Sequence, residues 1–511
     1  MKPLLVALLL CAAVLAGCAS TSSPSTSSNE PALAHPYQFD CSLSNWADPC
    51  TARASPNDSP SKAEVDIAVN PKDPLNVFVA SKDLDRKASD CVWAVGQVTK
   101  DGGKTWKTTY VGGLAAERPQ TSIFYGWHCI TDPILTFNKD GDLFYALQMY
   151  HYDPVGLPSV PDPTGTGLVG VPAGGYQLLT VSHDGGESFS ETYLMHAGDS
   201  GGVLFDDYMR IAANPMTGTV YTIWNQLTAT AAPVGQSIPI LVAYKPGSAA
   251  VQPPVYFPNV GSAASSQDVN ALSLGESAVV ADTTGKVYAW LGGFNSPNVV
   301  YFATSTDDGA TFSLLQKAFD FTPMGALENS SYRYGTSVEL AVDNSAGPHD
   351  GCLYAAWGGR EAGVVGPSDI YTRHSCDGGA TWSAPLLVNE AQRADGQWMA
   401  RVSVDGLGTV HILYATRAYD PGHTLVDLEH AYSLDGGLTW RTERVTGISY
   451  DGDKGIHQNG FPFLGDYIGI ASAGDRTYMG FPECIEAACE IGVALSVHTP
   501  HNEGVEEHHH G

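Results

Sequence analysis

Short apolar runs separated by polar turns occupy most of this chain, and one arrangement of them recurs. An apolar strand ends in Asp or Asn, a short turn follows, and a second apolar strand begins. The copies are "EVDIAVNPKDPLNVFVA" from Glu64, "DPILTFNKDGDLFYALQ" from Asp132, "YMRIAANPMTGTVYTIW" from Tyr208, "ESAVVADTTGKVYAWLG" from Glu276, "SVELAVDNSAGPHDGCLYAAW" from Ser337, "MARVSVDGLGTVHILYA" from Met399 and "DYIGIASAGDRTYMGF" from Asp466. Runs of this length, rich in Val, Ile, Tyr and Ala and bounded by Gly, Asp and Asn, predict strands rather than helices. Self-similarity at a regular spacing predicts a repeat architecture.

A second pattern lies downstream within most units. "TKDGGKTW" begins at Thr99, "SHDGGESF" at Ser182, "STDDGATF" at Ser305, "SCDGGATW" at Ser375 and "SLDGGLTW" at Ser433. An Asp that accepts backbone N–H bonds, a Gly that supplies positive φ and an aromatic at the start of the next strand make a hairpin turn. Asp101, Asp184, Asp307, Asp377 and Asp435 are therefore read as structural. Each unit becomes two strands, a third such as "DIYTRHS", the Asp-turn and a fourth strand. Between Asp184 and Asp307 there is room for one unit lacking the motif, with Lys245 to Gly247 in place of the turn. Four antiparallel strands repeated radially predict an all-β fold, a seven-bladed β-propeller. The last unit shows three strands, so residues before Glu64 are expected to supply its fourth and remove an open edge.

The turn motif and its placement resemble the Asp-box, or BNR repeat, of the sialidase-like propeller superfamily, over residues 62–497. The resemblance implies a propeller and makes a six-bladed sialidase fold the alternative to seven blades. It also implies, for a sialidase, three arginines on the substrate carboxylate, a Tyr nucleophile assisted by Glu, and an Asp acid/base. Two departures stand against that activity. Arg118 and Pro119 in "ERPQ" follow the first Asp-turn instead of preceding it, and seven units are counted where sialidases have six blades.

Candidate chemistry sits where loops meet first strands. Arg210 and Arg401 occupy equivalent first-strand positions, where other units carry Asp66 and Glu339. Glu64, Asp132, Glu276 and Asp466 share another equivalent position, so the first strands are expected to present a broken ring of carboxylates that pair with the arginines or cap backbone. "NSSYRYGTS" gathers Tyr332, Arg333 and Tyr334 near Glu328 and Glu339. The catalytic candidates are Tyr332, Glu339 and Asp132; the ligand-binding candidates are Arg210, Arg333, Arg401 and Trp398. Trp127 and His128 lie at a similar junction. The same residues suit glycan binding without catalysis.

Composition sharpens this picture. A net charge of −28 argues against nucleic acid and anionic membrane surfaces as partners. Lys2, the apolar run Leu4 to Val14 and "LAGC" resemble a bacterial-type lipoprotein signal, which implies cleavage after residue 17 and lipid on Cys18. The expected organisation is a signal at 1–17, a Ser/Thr/Pro-rich tether at 18–36, an N-terminal extension at 37–61, the propeller at 62–497 and a tail at 498–511. The expected location is extracytoplasmic, on the cell surface or in the periplasm, with the membrane reached through the Cys18 lipid alone. Eight cysteines remain beyond Cys11 and Cys18, and sequence-near pairing would join Cys41 to Cys50, Cys91 to Cys129, Cys352 to Cys376 and Cys484 to Cys489. "NKDGD" at 138–142 and "YDGDKG" at 450–455 resemble calcium loops only in composition, so no cofactor is expected, with calcium the alternative. The functional expectation is a monomer that binds a glycan or protein at its loop face. A sialidase-like glycoside hydrolase is the alternative, and an assembly factor for an envelope complex is the third reading.

Overall fold

The computed structural model describes residues 36–499 except 46–47, 49, 56–60, 85–92, 113–120, 126–128, 152–158, 162–167, 171–172, 198–203, 229–236, 258–273, 294–298, 326, 328, 333, 335–336, 361–365, 391–395, 455–456, 459–460, 486–487. Seven antiparallel sheets follow one another along the chain, the first six each in sequence order from an inner first strand to an outer fourth. Blade one is Lys62–Asn70, Asp73–Asp83, Trp93–Thr99 and Lys107–Tyr110. The first strands of blades two to seven are Cys129–Phe137, Leu204–Ala213, Leu274–Ala281, Val338–Val342, Gln397–Val404 and Gly469–Ala473. The protein is a seven-bladed β-propeller, and no described helix is long and apolar enough to cross a membrane.

Blade seven takes its outer strands from the other end of the chain. Tyr37–Phe39 pairs with Ala488–His498 in the register Tyr37 to His498, and Ala52–Arg53 pairs further along the same strand, Ala52 to Val493. The ring is thus closed by hydrogen bonds between residues more than four hundred positions apart, which leaves that strand no open edge.

The hydrophobic core lies between neighbouring blades. One cluster joins Phe78 of blade one to Leu143 and Tyr145 of blade two, and another joins Tyr221 of blade three to Val287 of blade four. The Asp-turns take part in this seam. In blade four, Asp307 accepts the Thr311 N–H (2.9 Å) and hydroxyl (2.6 Å), while Ser305 donates to Asp307 (2.8 Å) and accepts the Gly309 N–H (2.9 Å). The same set of bonds recurs around Asp101, Asp184, Asp377 and Asp435. The glycine two residues after the Asp has a second role: a Cβ on Gly186 would lie 2.4 Å from Phe78, and one on Gly309 2.7 Å from Tyr221, each on the preceding blade. The motif therefore holds blade to blade as well as strand to strand, and its aromatics, Trp106, Phe189, Phe312, Trp382 and Trp440, pack on core clusters.

Disulfides join Cys41 to Cys50, Cys352 to Cys376 and Cys484 to Cys489. Cys129 is also disulfide-bonded, and its expected partner Cys91 lies outside the described residues.

Candidate functional site

The first strands line the channel, and five of them carry one extra residue relative to their partners. The register shifts between Ala63 and Asp66, Thr131 and Ile134, Asp207 and Arg210, Leu274 and Ser277, and Trp398 and Arg401. Such bulges bend a strand and re-aim its side chains. Four bulge residues adopt left-handed backbone conformation without being glycine: Glu64 (φ 51°), Asp132 (φ 52°), Tyr208 (φ 60°) and Met399 (φ 55°). The bulges place two sets of charged groups two positions apart along the first strands.

The first set is self-neutralised. Arg401 donates to Asp66 (3.2 Å) and to Glu339 (3.1 Å), and Arg210 donates to the other oxygen of Glu339 (2.8 Å). Asp66 also accepts the Leu135 N–H at 2.7 Å. Blades one, six, five and three are thereby linked across the channel. Burial raises the Asp66 carboxyl from its ordinary value, against the pull of Arg401.

The second set is acidic. Lys82 lies 3.1 Å from Glu64 and 3.7 Å from Asp132. Asp132 shares hydrogen bonds with Glu64 and with Asp207, and accepts the Thr131 hydroxyl at 2.7 Å. Burial, then the charge of Asp132 and the bond to it, push Asp207 well above the usual carboxylate range. Burial works to raise Asp132 as well, but Lys82 and the hydrogen bonds from Asp207, Thr131 and Glu64 outweigh it and hold that carboxyl low. One proton is thus shared between two carboxyls, with Asp207 its holder. Asp466 adds negative charge beside Asp207, and Asp132, Asp207, Tyr208 and Asp466 are all partly open to solvent. Below them Tyr467 is buried, its hydroxyl donating to Pro133 O (2.9 Å) and its ring under Arg210.

Tyr332 and Trp398 are placed elsewhere. Tyr332 is buried, its hydroxyl accepts from Arg417 at 2.6 Å, and its ring stacks on Trp398, which is 0 % exposed. Burial pushes the Tyr332 hydroxyl up to about 12 despite Arg417. Asp453 accepts the Ser331 and Tyr332 N–H groups and pins this loop. The structure therefore brings Glu339, Arg210 and Arg401 together and brings Tyr332 to Trp398. Asp132 stands with Glu64, Lys82 and Asp207. Arg333, Glu328, Trp127, His128, Arg118, Pro119 and Cys18 lie outside the described residues, as does the side chain of Glu276. Asp207, Lys82 and Tyr467 were not singled out from sequence; the "DD" pair before the bulge at Tyr208 was the available signal for Asp207.

Both loops resembling calcium sites are turns whose acidic groups have partners. Asn138 accepts the Asp140 and Asp142 N–H groups, and Asp451 accepts the Asp453 N–H. Among the described residues the one group of three metal-ligand types is His349, Cys352 and Cys376, and its two cysteines form a disulfide.

Neither a protein-family model nor a curated protein matches this sequence. Among solved structures, the chain is similar to a protein of unknown function from Dyadobacter fermentans DSM 18053, at 18% identity and TM-score 0.41, over 70% of this chain and 90% of that one. It is similar to the Hadza microbial sialidase Hz136, at 12% identity and TM-score 0.43, over 82% and 76%. It is also similar to an ulvan lyase of polysaccharide lyase family PL25, at 12% identity and TM-score 0.43, over 84% and 93%.

Proposed function

We propose that the protein is a lipid-anchored, extracytoplasmic propeller that binds a glycan at the mouth of its channel, the ligand being neutral or carrying amino groups. The observation that carries this reading is the division of charge in the channel. Arg210 and Arg401, which would have to hold the carboxylate of a sialic acid, are already bonded to Glu339 and Asp66. Arg401 is nearly as open as Asp132 but is held on both sides, and the other partly open groups, Asp132, Asp207, Asp466 and Tyr208, meet sugar hydroxyls or ammonium groups, the ionised Asp132 repelling anionic sugars. Arg333, next in the chain to Tyr332, is kept as a further ligand contact. The cell attachment rests on the Cys18 signal.

A hydrolase is the second reading, favoured by the carboxyl pair: a protonated Asp207 beside an ionised Asp132 has the acid and base forms that glycoside cleavage uses. A glycan-binding screen on protein beginning after the tether, run with fluorogenic sialoside and hexoside hydrolysis, separates the two. The expected result is binding to neutral or amino-bearing glycans, lost in Asp132→Asn, without sialoside turnover. Hexoside turnover lost in Asp132→Asn replaces the binding reading by the hydrolase, and silence with every glycan removes both.

A further inference from the structure

The N-terminal residues that close blade seven reach buried titratable groups at two places. At the first, the Tyr37 hydroxyl donates to Asp405 Oδ2 and lies 2.9 Å from the Thr409 hydroxyl. Asp405 begins a chain of contacts through blade six: Oδ2 to His411 Nε2 (3.3 Å), His411 Nδ1 to His430 Nε2 (2.9 Å), and His430 Nδ1 to Glu443 Oε1 (2.9 Å). Both imidazoles are fully buried. Asp405 also accepts the N–H groups of Leu407 and Thr409, which keeps it ionised and makes His411 Nε2 the donor to it. His411 Nδ1 then accepts from His430 Nε2, and His430 Nδ1 meets Glu443. Burial pushes His411 below its ordinary value of 6.5, which agrees with His411 being the neutral ring.

At the second place, Asp48 and Glu483 are both 0 % exposed and hydrogen-bonded to each other. Asp48 accepts the Gly447 (2.5 Å) and Ile448 (3.0 Å) N–H groups, as a carboxylate does, so the shared proton belongs to Glu483. Thr51 donates to the other side of Glu483 at 3.0 Å. Glu483 faces Glu490 across the strand pair, and Glu490 is bonded by Arg53 and Ser55 of the same N-terminal stretch.

We propose that Tyr37–Phe39 and the stretch from Asp48 to Ser55 form a proton-held clasp on the propeller: a proton between Asp48 and Glu483 holds it, and its loss at rising pH releases the closing strand. Departure of that proton leaves two buried carboxylates face to face at the contact. The other charged and titratable groups around the clasp are Tyr432, Arg441, His498 and Asp475 near the imidazoles, and Tyr450, Asp427, Glu490 and Arg53 near Glu483.

The direction in pH follows from the proton on Glu483. Burial and Asp48 push Glu483 up to about 8 from 4.5, so the clasped state keeps a proton that the released state gives up. That contribution is full below 4.5 and is lost progressively until pH passes 8. His411 acts oppositely, because the released state binds a proton there below 6.5. The two slopes offset each other on the acid side, and the clasp loosens above neutrality by up to about tenfold per pH unit.

The test is amide hydrogen exchange of the full mature chain at several pH values between about 6 and 9, corrected for the chemical exchange rate. The opening of Tyr37–Phe39 and Thr51–Ser55 is expected to rise with pH relative to the strand Arg476–Ile485. Glu483→Gln, a neutral stand-in for the protonated acid, is expected to flatten that rise. Infrared spectra of the wild type supply a second readout, a protonated carboxylic acid band at neutral pH that is weaker in Glu483→Gln. Opening that does not change with pH, a slope that survives Glu483→Gln, or an absent acid band overturns the proposal.

Discussion

The Asp-turns and the channel bulges both recur around the ring, but they repeat different things. Five turns repeat the same side chains making the same bonds, from Thr99 and Asp101 in blade one to Ser433 and Asp435 in blade six. The bulges repeat a backbone and vary the side chain on it: Glu64, Asp132, Tyr208 and Met399 share one left-handed conformation. Uniform chemistry on a uniform backbone serves the ring itself, since each copy meets the same need at its own blade seam. Varied chemistry on a uniform backbone marks the positions released from that need. Within the channel the division recurs on a smaller scale: Asp66, Arg210, Glu339 and Arg401 satisfy one another, while the carboxyls around Asp132 share one lysine.

The largest test of this division removes the group that spans the channel. Arg401→Met leaves Glu339 with one guanidinium and Asp66 without its ion-pair partner, both nearly buried. A loss of about 3–5 kcal/mol in unfolding free energy is expected, the usual result of breaking a buried pair from one side. Denaturant midpoints measure it. A loss below that of a single Asp-turn substitution would show that the ring of ion pairs is an ornament on a channel stable without it.

The next test is on the rim. Asp435→Ala removes the acceptor for the Thr439 N–H and hydroxyl and for Ser433, with an expected loss of about 1–2 kcal/mol, comparable to deleting a helix cap. The turns also predict acid behaviour. Hydrogen bonds from Thr311 and Ser305 lower Asp307 to about 2, and those from Thr381 and Ser375 do the same for Asp377. A depressed carboxyl stabilises the fold above its ordinary value of 3.8 and loses that contribution as pH falls toward 2. Acid titration of Asp307→Asn, followed by near-ultraviolet circular dichroism, is expected to show a shallower loss of stability over that interval than the wild type. An unchanged profile would mean that the rim carboxyls do not set the acid limit.

The propeller was legible because its signals are local and repeated. Alternating strands that end at Asn70, Asn138, Asn214, Asp282, Asp343 and Asp405 mark the blades, and each of these side chains caps its own turn. The equivalence of Asp66, Arg210, Glu339 and Arg401 was legible for the same reason: equal distance from those turns puts them at equal depth. What was not legible depends on the extra residue in each bulge, whose place no periodicity reveals. Trp398 looked like a loop-junction aromatic, yet it sits just before the bulge at Met399 and points into the core with Tyr332. Asp207 carries the shared proton while its neighbour Asp206 bonds His196, a choice made by the bulge one residue on. Lys82 and the His411–His430 pair lie on strands whose alternation says only that a side chain faces inward. Lys82 gains its meaning from Asp132 on the next blade, and the imidazoles gain theirs from Asp405 and Glu443 on neighbouring stretches of their own blade.

The smallest expected effect on stability is also the one that best separates the two halves of the channel. Asp207 holds the shared proton, so Asp207→Asn keeps its neutral state and its hydrogen bond to Asp132, and is expected to change stability by less than about 1 kcal/mol. Asp132→Asn removes the carboxylate that Lys82 and Asp207 both address, and should cost more while abolishing ligand binding. The pair differs in pH dependence too. A carboxyl raised in the fold contributes stability that is present below its ordinary value and lost as pH rises, so Asp207→Asn should flatten the stability profile on the neutral side, where the wild type declines. Thermal melts of both variants across pH supply the comparison. Equal costs, or a profile unchanged by Asp207→Asn, would place the proton on the other carboxyl and reverse the acid and base assigned to them.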